Sequence, residues 1–253
     1  KTAYEIGGRL VGSEMCIRDR YIELGDSITP ATNRCIRNML DAIDRAAING
    51  IKGLVPTYRS ILIYYNPMSI SAEVLEQSLA VLHKNLGNDV EDQQSVVEVP
   101  TLYGGEWGPD LEFVATHNNI AVEKVIKIHT GSDYLVYMVG FNPGFPYLGG
   151  MSKEIATPRL PTPRVRITPG SVGIADQQTG IYPLASPGGW RLIGRSPIKM
   201  FDPDRNPPAL VQAGDLVRFV SIDASRYKEI EAEVKSGTYL SLIHISEPTR
   251  RTP

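Results

Sequence analysis

Between Gly140 and Gly214 no run free of glycine and proline exceeds seven residues. Seven residues make about two helical turns, and proline removes a backbone donor while glycine loses the most entropy on ordering. A helical core is closed to this part of the chain. The segment and its flanks instead offer short β-rich pieces between turns: Tyr134–Gly140, Arg164–Thr168, Ser171–Ala175, Ala209–Gln212 and Leu216–Ile222. Many short strands with frequent turn signals predict a closed or nearly closed β-barrel. Two short helices are expected ahead of it, Pro109–Thr116 and Ile120–His129, and one after it. That last helix, Asp223–Lys235, opens on an Asp cap and turns Tyr227, Ile230 and Val234 inward.

The first hundred residues have another texture. Tyr21–Leu24 is a strand candidate, and Thr29-Pro30 marks a helix start with proline at the first helical position. Ile36, Met39, Leu40 and Ile43 then recur at helical spacing until Gly50. Two strands follow, Lys52–Pro56 and Arg59–Tyr65. A second amphipathic helix, Ser71–Leu86, carries Leu75, Leu79, Leu82 and Leu86 on one face, with Gly87 placed to end it in a left-handed conformation. Ser95–Val99 is a further strand. This β-α-β-β-α-β order predicts a ferredoxin-like unit over residues 1–97, giving an α+β protein whose barrel spans residues 98–240. Residues 11–20 (VGSEMCIRDR) and 241–253 (SLIHISEPTRRTP) show neither period. Both resemble translated sequencing-adapter strings and are set aside as artefactual edges.

The balance of charge narrows the function classes. A formal net charge of −2 gives no electrostatic reason to expect nucleic acid or an anionic membrane. No apolar run reaches the roughly 18 residues a membrane span needs. The opening KTAYEIGGRL lacks the apolar core of a signal peptide, although the chain starts on Lys1 rather than Met. Cys16 and Cys35 form neither a metal-spaced pair nor a disulfide framework. The expectation is a cytoplasmic protein.

No familiar catalytic motif is present: no phosphate loop, no GxGxxG after a strand, no HExxH and no nucleophile elbow. His244 lies in the C-terminal string. His83, His117 and His129 sit on or at the ends of predicted helices, where a charge–dipole contact is the simpler role. The chemistry concentrates between residues 140 and 196. Arg159, Arg164 and Arg166 lie close together, the last two on one strand face. GSVG (Gly170–Gly173) exposes backbone N–H groups. Gln178, Thr179, Tyr182 and Ser186 both donate and accept. Gly188 and Gly189 place flexible backbone before Trp190, and Phe141, Phe145 and Tyr147 add rings. Each feature alone also fits barrel turns, a solvated strand face or packed core. Their coincidence favours a concave site for a small, polar, anionic molecule, because an arginine fork binds carboxylate or phosphate and aromatic walls exclude water.

Taken together, VPTYRSILIYYNP, GFNPGFPYLGG, ATPRLPTPR, GSVGIA and QTGIYPLASPGGWRLIGR resemble the KipI/PxpB family. This family is also named allophanate hydrolase subunit 1. The similarity runs from about Tyr21 to Gly237. The resemblance implies a small α+β unit followed by a cyclophilin-like β-barrel. It implies an ATP-dependent 5-oxoprolinase that opens 5-oxoproline to glutamate, with ATP (and Mg) as co-substrate and no permanently bound cofactor. The implied partners are a homologous second barrel subunit of PxpC type and a LamB/YcsF-type (PxpA-like) subunit. Two other roles occur in the family: an inhibitor that binds a sporulation histidine kinase, and a component of urea- or allophanate-type carboxyl transfer. One departure stands beside the expected site: Asp176-Gln177 replaces two glycines.

On this reading Arg159, Arg164 and Arg166 would hold substrate carboxylate or phosphate, and Ser171 and Gly173 would supply backbone N–H donors. Gln178 and Tyr182 would orient the ring amide. Phe145, Tyr147 and Trp190 would wall the pocket, with Thr179, Ser186, Gly188 and Gly189 completing the binding surface. Arg159, Arg166, Gln178 and Tyr182 are the expected catalytic groups, and no metal ligands are expected. None of these is a self-sufficient nucleophile or base, so catalysis is expected to need the partner subunits.

Overall fold

The computed structural model describes residues 18–86, 95–239 and the backbone of 243–245. Cys16, the helix stop at Gly87 and most of the 11–20 and 241–253 strings fall outside the described residues. The chain divides between residues 92 and 93 into two compact units.

The first unit runs β1 (Asp19–Glu23), α1 (Pro30–Ala46), β2 (Ile51–Pro56), β3 (Ser60–Tyr65) and α2 (Ala72–Lys84). Its strands form one antiparallel sheet in the order β1-β3-β2. Thr29 caps α1 by accepting the Thr32 N–H at 3.1 Å, with Pro30 at the first helical position. The helix ends earlier than Gly50: Ala47 takes the left-handed cap at φ 45°. Ile36, Met39 and Ile43 of α1 and Leu75 and Leu79 of α2 bury against Ile61 and Ile63 of β3. β1 starts inside the VGSEMCIRDR string. Asp19 pairs with Tyr64 and Arg20 with Ile63, and the Arg20 Nε lies 3.2 Å from a Glu76 carboxylate oxygen.

The ferredoxin-like expectation is not met among the described residues, because its fourth strand belongs elsewhere. Ser95–Val99 is the first half of β4 (Ser95–Tyr103), which opens the second unit. Val97 and Val99 are buried in the barrel core, and that burial holds the strand there.

The second unit continues with α3 (Leu111–His117), α4 (Val122–Thr130), β5 (Asp133–Val139), β6 (Pro146–Gly149), β7 (Arg164–Ile167) and β8 (Ser171–Ala175). Then come β9 (Gln178–Ile181), β10 (Ser186–Gly188), β11 (Arg191–Arg195), β12 (Leu216–Ser221), α5 (Ala224–Ser236) and β13 (Ile243–Ile245). Seven strands follow one another in the order β11-β8-β9-β6-β5-β12-β4, and a β11–β4 pairing closes the ring. The predicted barrel is therefore closed. β13 lies antiparallel against Ser95–Val97, while β7 and β10 form a separate two-stranded ribbon. Ala209–Gln212 is not a strand; Ala209 makes only a single bridge, to Phe201. No helix among the described residues is long and apolar enough to cross a membrane.

A file of buried hydrogen bonds runs through the largely apolar barrel interior. His129, in the last turn of α4, is fully buried between Tyr134 and Phe219. Its Nδ1 lies 2.7 Å from the Tyr103 hydroxyl and its Nε2 lies 2.7 Å from Thr179 Oγ1. The Thr179 hydroxyl donates to the Gly173 carbonyl. A hydroxyl has one proton to give, so Thr179 must accept from Nε2–H, and Nδ1 must accept from Tyr103. The neutral tautomer is thus set by its neighbours. Burial pushes the imidazole down to about 3 and pushes the Tyr103 phenol up.

Candidate functional site

A cavity of about 440 Å³ opens where β6, β9 and the Pro187–Trp190 segment meet. That volume lies in the usual range for small-molecule sites. Along β9 the side chains alternate. Gln178 and Tyr182 line the cavity, while Thr179 is buried on the barrel-interior side with His129. Gly180 keeps the wall thin, since a Cβ there would come within 3.0 Å of Trp190 and 3.2 Å of Phe145. Gly188 is similarly tight: its Cβ would lie 2.5 Å from the Tyr182 hydroxyl, so that a side chain there would have to displace it.

Phe145 is the hub of the wall. Its ring meets those of Phe141, Tyr147, Tyr182 and Trp190 edge-on, at centroid distances of 5.2–5.6 Å. Such T-shaped contacts set the positive edge of one ring against the negative face of the next. Burial pushes the Tyr182 phenol up to about 12, and the Trp190 backbone hydrogen-bonds it. Tyr182 therefore stays protonated and neutral at ordinary pH. Leu160, Pro163 and Pro187, which carry no signal in the sequence, complete the apolar lining.

Arg159 is the charged side chain of the lining among the described residues. Its Nε lies 3.3 Å from Asp176 Oδ2. Two non-glycine residues here hold left-handed backbone: Phe141 of the lining, at φ 63°, and Asp176, outside the lining but paired with Arg159, at φ 53°. Residues in such costly conformations gather at ligand sites, where the surrounding fold holds them. Phe141 is also 65% exposed, unusual for a phenylalanine.

The family model for the carboxyltransferase domain, subdomain C and D, matches residues 13–211. A Bacillus subtilis protein named as a subunit of 5-oxoprolinase is 42% identical over 222 residues, which is 84% of this chain and 92% of the relative. The chain belongs to the KipI/PxpB family. Among solved structures, that of TTHA0988 is 37% identical with a TM-score of 0.72 over 82% of this chain, which spans 40% of that one. The urea carboxylase of Kluyveromyces lactis shares the fold, with a TM-score of 0.76 over 90% of this chain and 23% of its own, at 19% identity.

In this KipI/PxpB-family barrel the three arginines do not converge. Arg159 lines the cavity. Arg166 is exposed and outside the lining. Arg164 turns toward Asp110, a buried residue just before α3: its Nη2 donates to both carboxylate oxygens at 2.9 and 3.0 Å, and its Nη1 donates to the Trp190 carbonyl at 3.3 Å. Asp110 also accepts the Leu192 N–H at 2.7 Å. Arg164 is thus a strut that ties the start of α3 to the Trp190 segment. The N–H donor roles expected of Ser171 and Gly173 are likewise taken by the fold. Ser171 N–H donates to Thr168, and Gly173 lies in β8 between β9 and β11. Ser186 is buried away from the lining, its hydroxyl without a hydrogen-bond partner. Gly189 and Tyr147 take the lining positions expected of them. Asp110 has no sequence signal, since the residue it serves lies 54 positions away.

The strut makes a testable difference. Arg164→Ala should lower stability by about 2–3 kcal/mol, because it strands a buried carboxylate; a fully enclosed pair would lose more. Urea unfolding followed by tryptophan fluorescence checks this. An arginine reserved for a ligand would leave the midpoint where it was.

Proposed function

We propose that this chain is a subunit of an ATP-dependent 5-oxoprolinase and that the Phe145–Trp190 cavity takes 5-oxoproline. The observation that carries the reading is the pairing of one arginine with one carboxamide inside an aromatic wall. 5-Oxoproline is a small ring with one carboxylate and one cis lactam. Arg159 suits the carboxylate through charge-assisted hydrogen bonds. The Gln178 carboxamide can offer a donor and an acceptor to the lactam C=O and N–H. The rings of Phe145, Tyr147 and Trp190 cover the faces of the five-membered ring and exclude water, which strengthens both polar contacts. The Bacillus subtilis relative, named for 5-oxoprolinase, supports the same substrate.

Opening a lactam requires that its resonance-stabilised carbonyl be made electrophilic. ATP supplies this by phosphorylating the amide oxygen, so that water can attack the carbon. That step needs several cations and a metal-bound phosphate. The cavity brings a single arginine. We therefore assign phosphoryl transfer to the second barrel subunit and the LamB/YcsF-type subunit, and substrate capture and orientation to this chain.

The test is ATP-dependent glutamate formation from 5-oxoproline by the copurified subunits. Arg159→Gln in this chain should lower kcat/KM by about 10- to 100-fold, the worth of a charge-assisted hydrogen bond, with an unchanged melting temperature. Full activity from this chain alone, or an unaffected Arg159→Gln complex, would overturn the reading.

A further inference from the structure

Arg159 and Asp176 are brought together by the main chain before any ligand arrives. The Asp176 N–H donates to the Thr157 carbonyl at 2.8 Å, and the Thr157 N–H donates back to the Asp176 carbonyl at 3.1 Å. Thr157 is itself buried and receives a hydrogen bond from Asn118. Arg159 follows two residues later, so the bridge fixes the root of the guanidinium beside the root of the carboxylate. Asp176 holds this place at the tip of the β8–β9 hairpin in a left-handed conformation that most side chains avoid.

The ion pair does little for the fold. Its side chains are 57% and 64% exposed, and exposed pairs of this kind contribute little to stability. Its consequence falls on whatever enters the cavity. With Nε turned to Asp176, the guanidinium still has its terminal nitrogens to form a fork. One carboxylate matches that fork. A second negative group on a ligand held by that fork would lie close to the Asp176 carboxylate, which pairs with Arg159 from outside the lining, and among the described residues no lining side chain but Arg159 carries positive charge.

We propose that Asp176 is a specificity-determining residue that restricts the cavity to singly charged carboxylates and rejects dianions. The proposal rests on the reading of the cavity given above and adds a charge rule to it. Asp176 acts through Arg159 and through repulsion, without needing to touch the reacting atoms.

Calorimetric titration of the full chain tests it with two probes of similar size, 5-oxoproline and cyclopentane-1,3-dicarboxylate. Wild type should prefer the monoanion by at least about tenfold, and Asp176→Asn should shrink that preference by about five- to tenfold, the size of one like-charge contact at a wet rim. Asparagine tolerates the left-handed backbone, so the melting temperature should hold. Asp176→Gly should give the same shift, because it too removes the charge. Binding of both probes with an unchanged ratio in Asp176→Asn would overturn the proposal and leave the site reading standing. A shift in the glycine variant alone would trace the effect to the backbone and overturn it as well. Failure of folded wild type to bind either probe would overturn the site reading and the proposal with it.

Discussion

Lowering the pH from 7 to 4 should destabilise the barrel by about 3 kcal/mol through His129 alone. The imidazole is held down to about 3 in the folded barrel and returns to about 6.5 when the chain unfolds. Between those values the unfolded state binds the extra proton, so stability rises with pH. The contribution is therefore complete above about pH 6.5 and falls by about 1.4 kcal/mol per unit as the pH drops toward 3. Protonation would place a hydrogen on Nδ1, where the Tyr103 hydroxyl already points its own, and would put a charge among Tyr134 and Phe219. Urea unfolding from pH 4 to pH 8 measures the slope. Both tryptophans of the chain, Trp107 and Trp190, lie in the second unit, so fluorescence reports on the barrel. His129→Gln should flatten the slope over that range. Equal slopes for wild type and variant would show that the imidazole does not govern acid sensitivity.

Phe145→Ala should cost about 3–5 kcal/mol, the usual range for emptying a buried phenylalanine site. The loss lies at the upper end if the four edge-on ring contacts go together, since each adds to the area term. The same change opens the cavity between Tyr147 and Trp190, so binding of 5-oxoproline should fall with it. Phe145→Leu separates the two effects. It keeps most of the buried volume and should fold with a loss of about 1–2 kcal/mol, yet it removes the ring wall and should still weaken binding. A Phe145→Ala protein that unfolds at the wild-type urea midpoint would show that the ring cluster does not hold this side of the barrel together.

The helices are readable in the sequence because their signals are local. Thr29-Pro30 announces α1, Asp223 announces α5, and the leucines of α2 share a face within a few turns. The strands β6, β9, β10 and β11 are harder, although their residues stand out as site material. They read PYLG, QTGI, SPG and RLIGR, and each contains a glycine or proline that signals a turn in isolation. Inside the barrel those residues serve another end. Gly180 and Gly188 are strand residues at which an added Cβ would crowd the rings of Trp190, Phe145 and Tyr182. The aromatic wall is legible, since so many rings in so short a span need a shared place. The fate of the arginines is not. Arg164 looks the same in sequence whether it faces a ligand or Asp110, and only the fold brings Asp110 to it. The strand expected to complete the first unit is misplaced for a related reason. Ser95–Val99 has the pattern of any buried strand, and its partner β12 lies more than a hundred residues further on.

That last pairing decides when the barrel can form. β4 is the first strand of the ring and β12 the last, yet they lie side by side in parallel, in register from Leu216 opposite Val96 to Ser221 opposite Thr101. During synthesis the ribosome must therefore deliver the chain as far as residue 221 before the cylinder can seal. Until then β4 waits with an open edge, exposed to chaperones and to neighbouring chains. A message cut short anywhere before that point should yield no smaller working barrel, only a polypeptide whose two ends have not yet met.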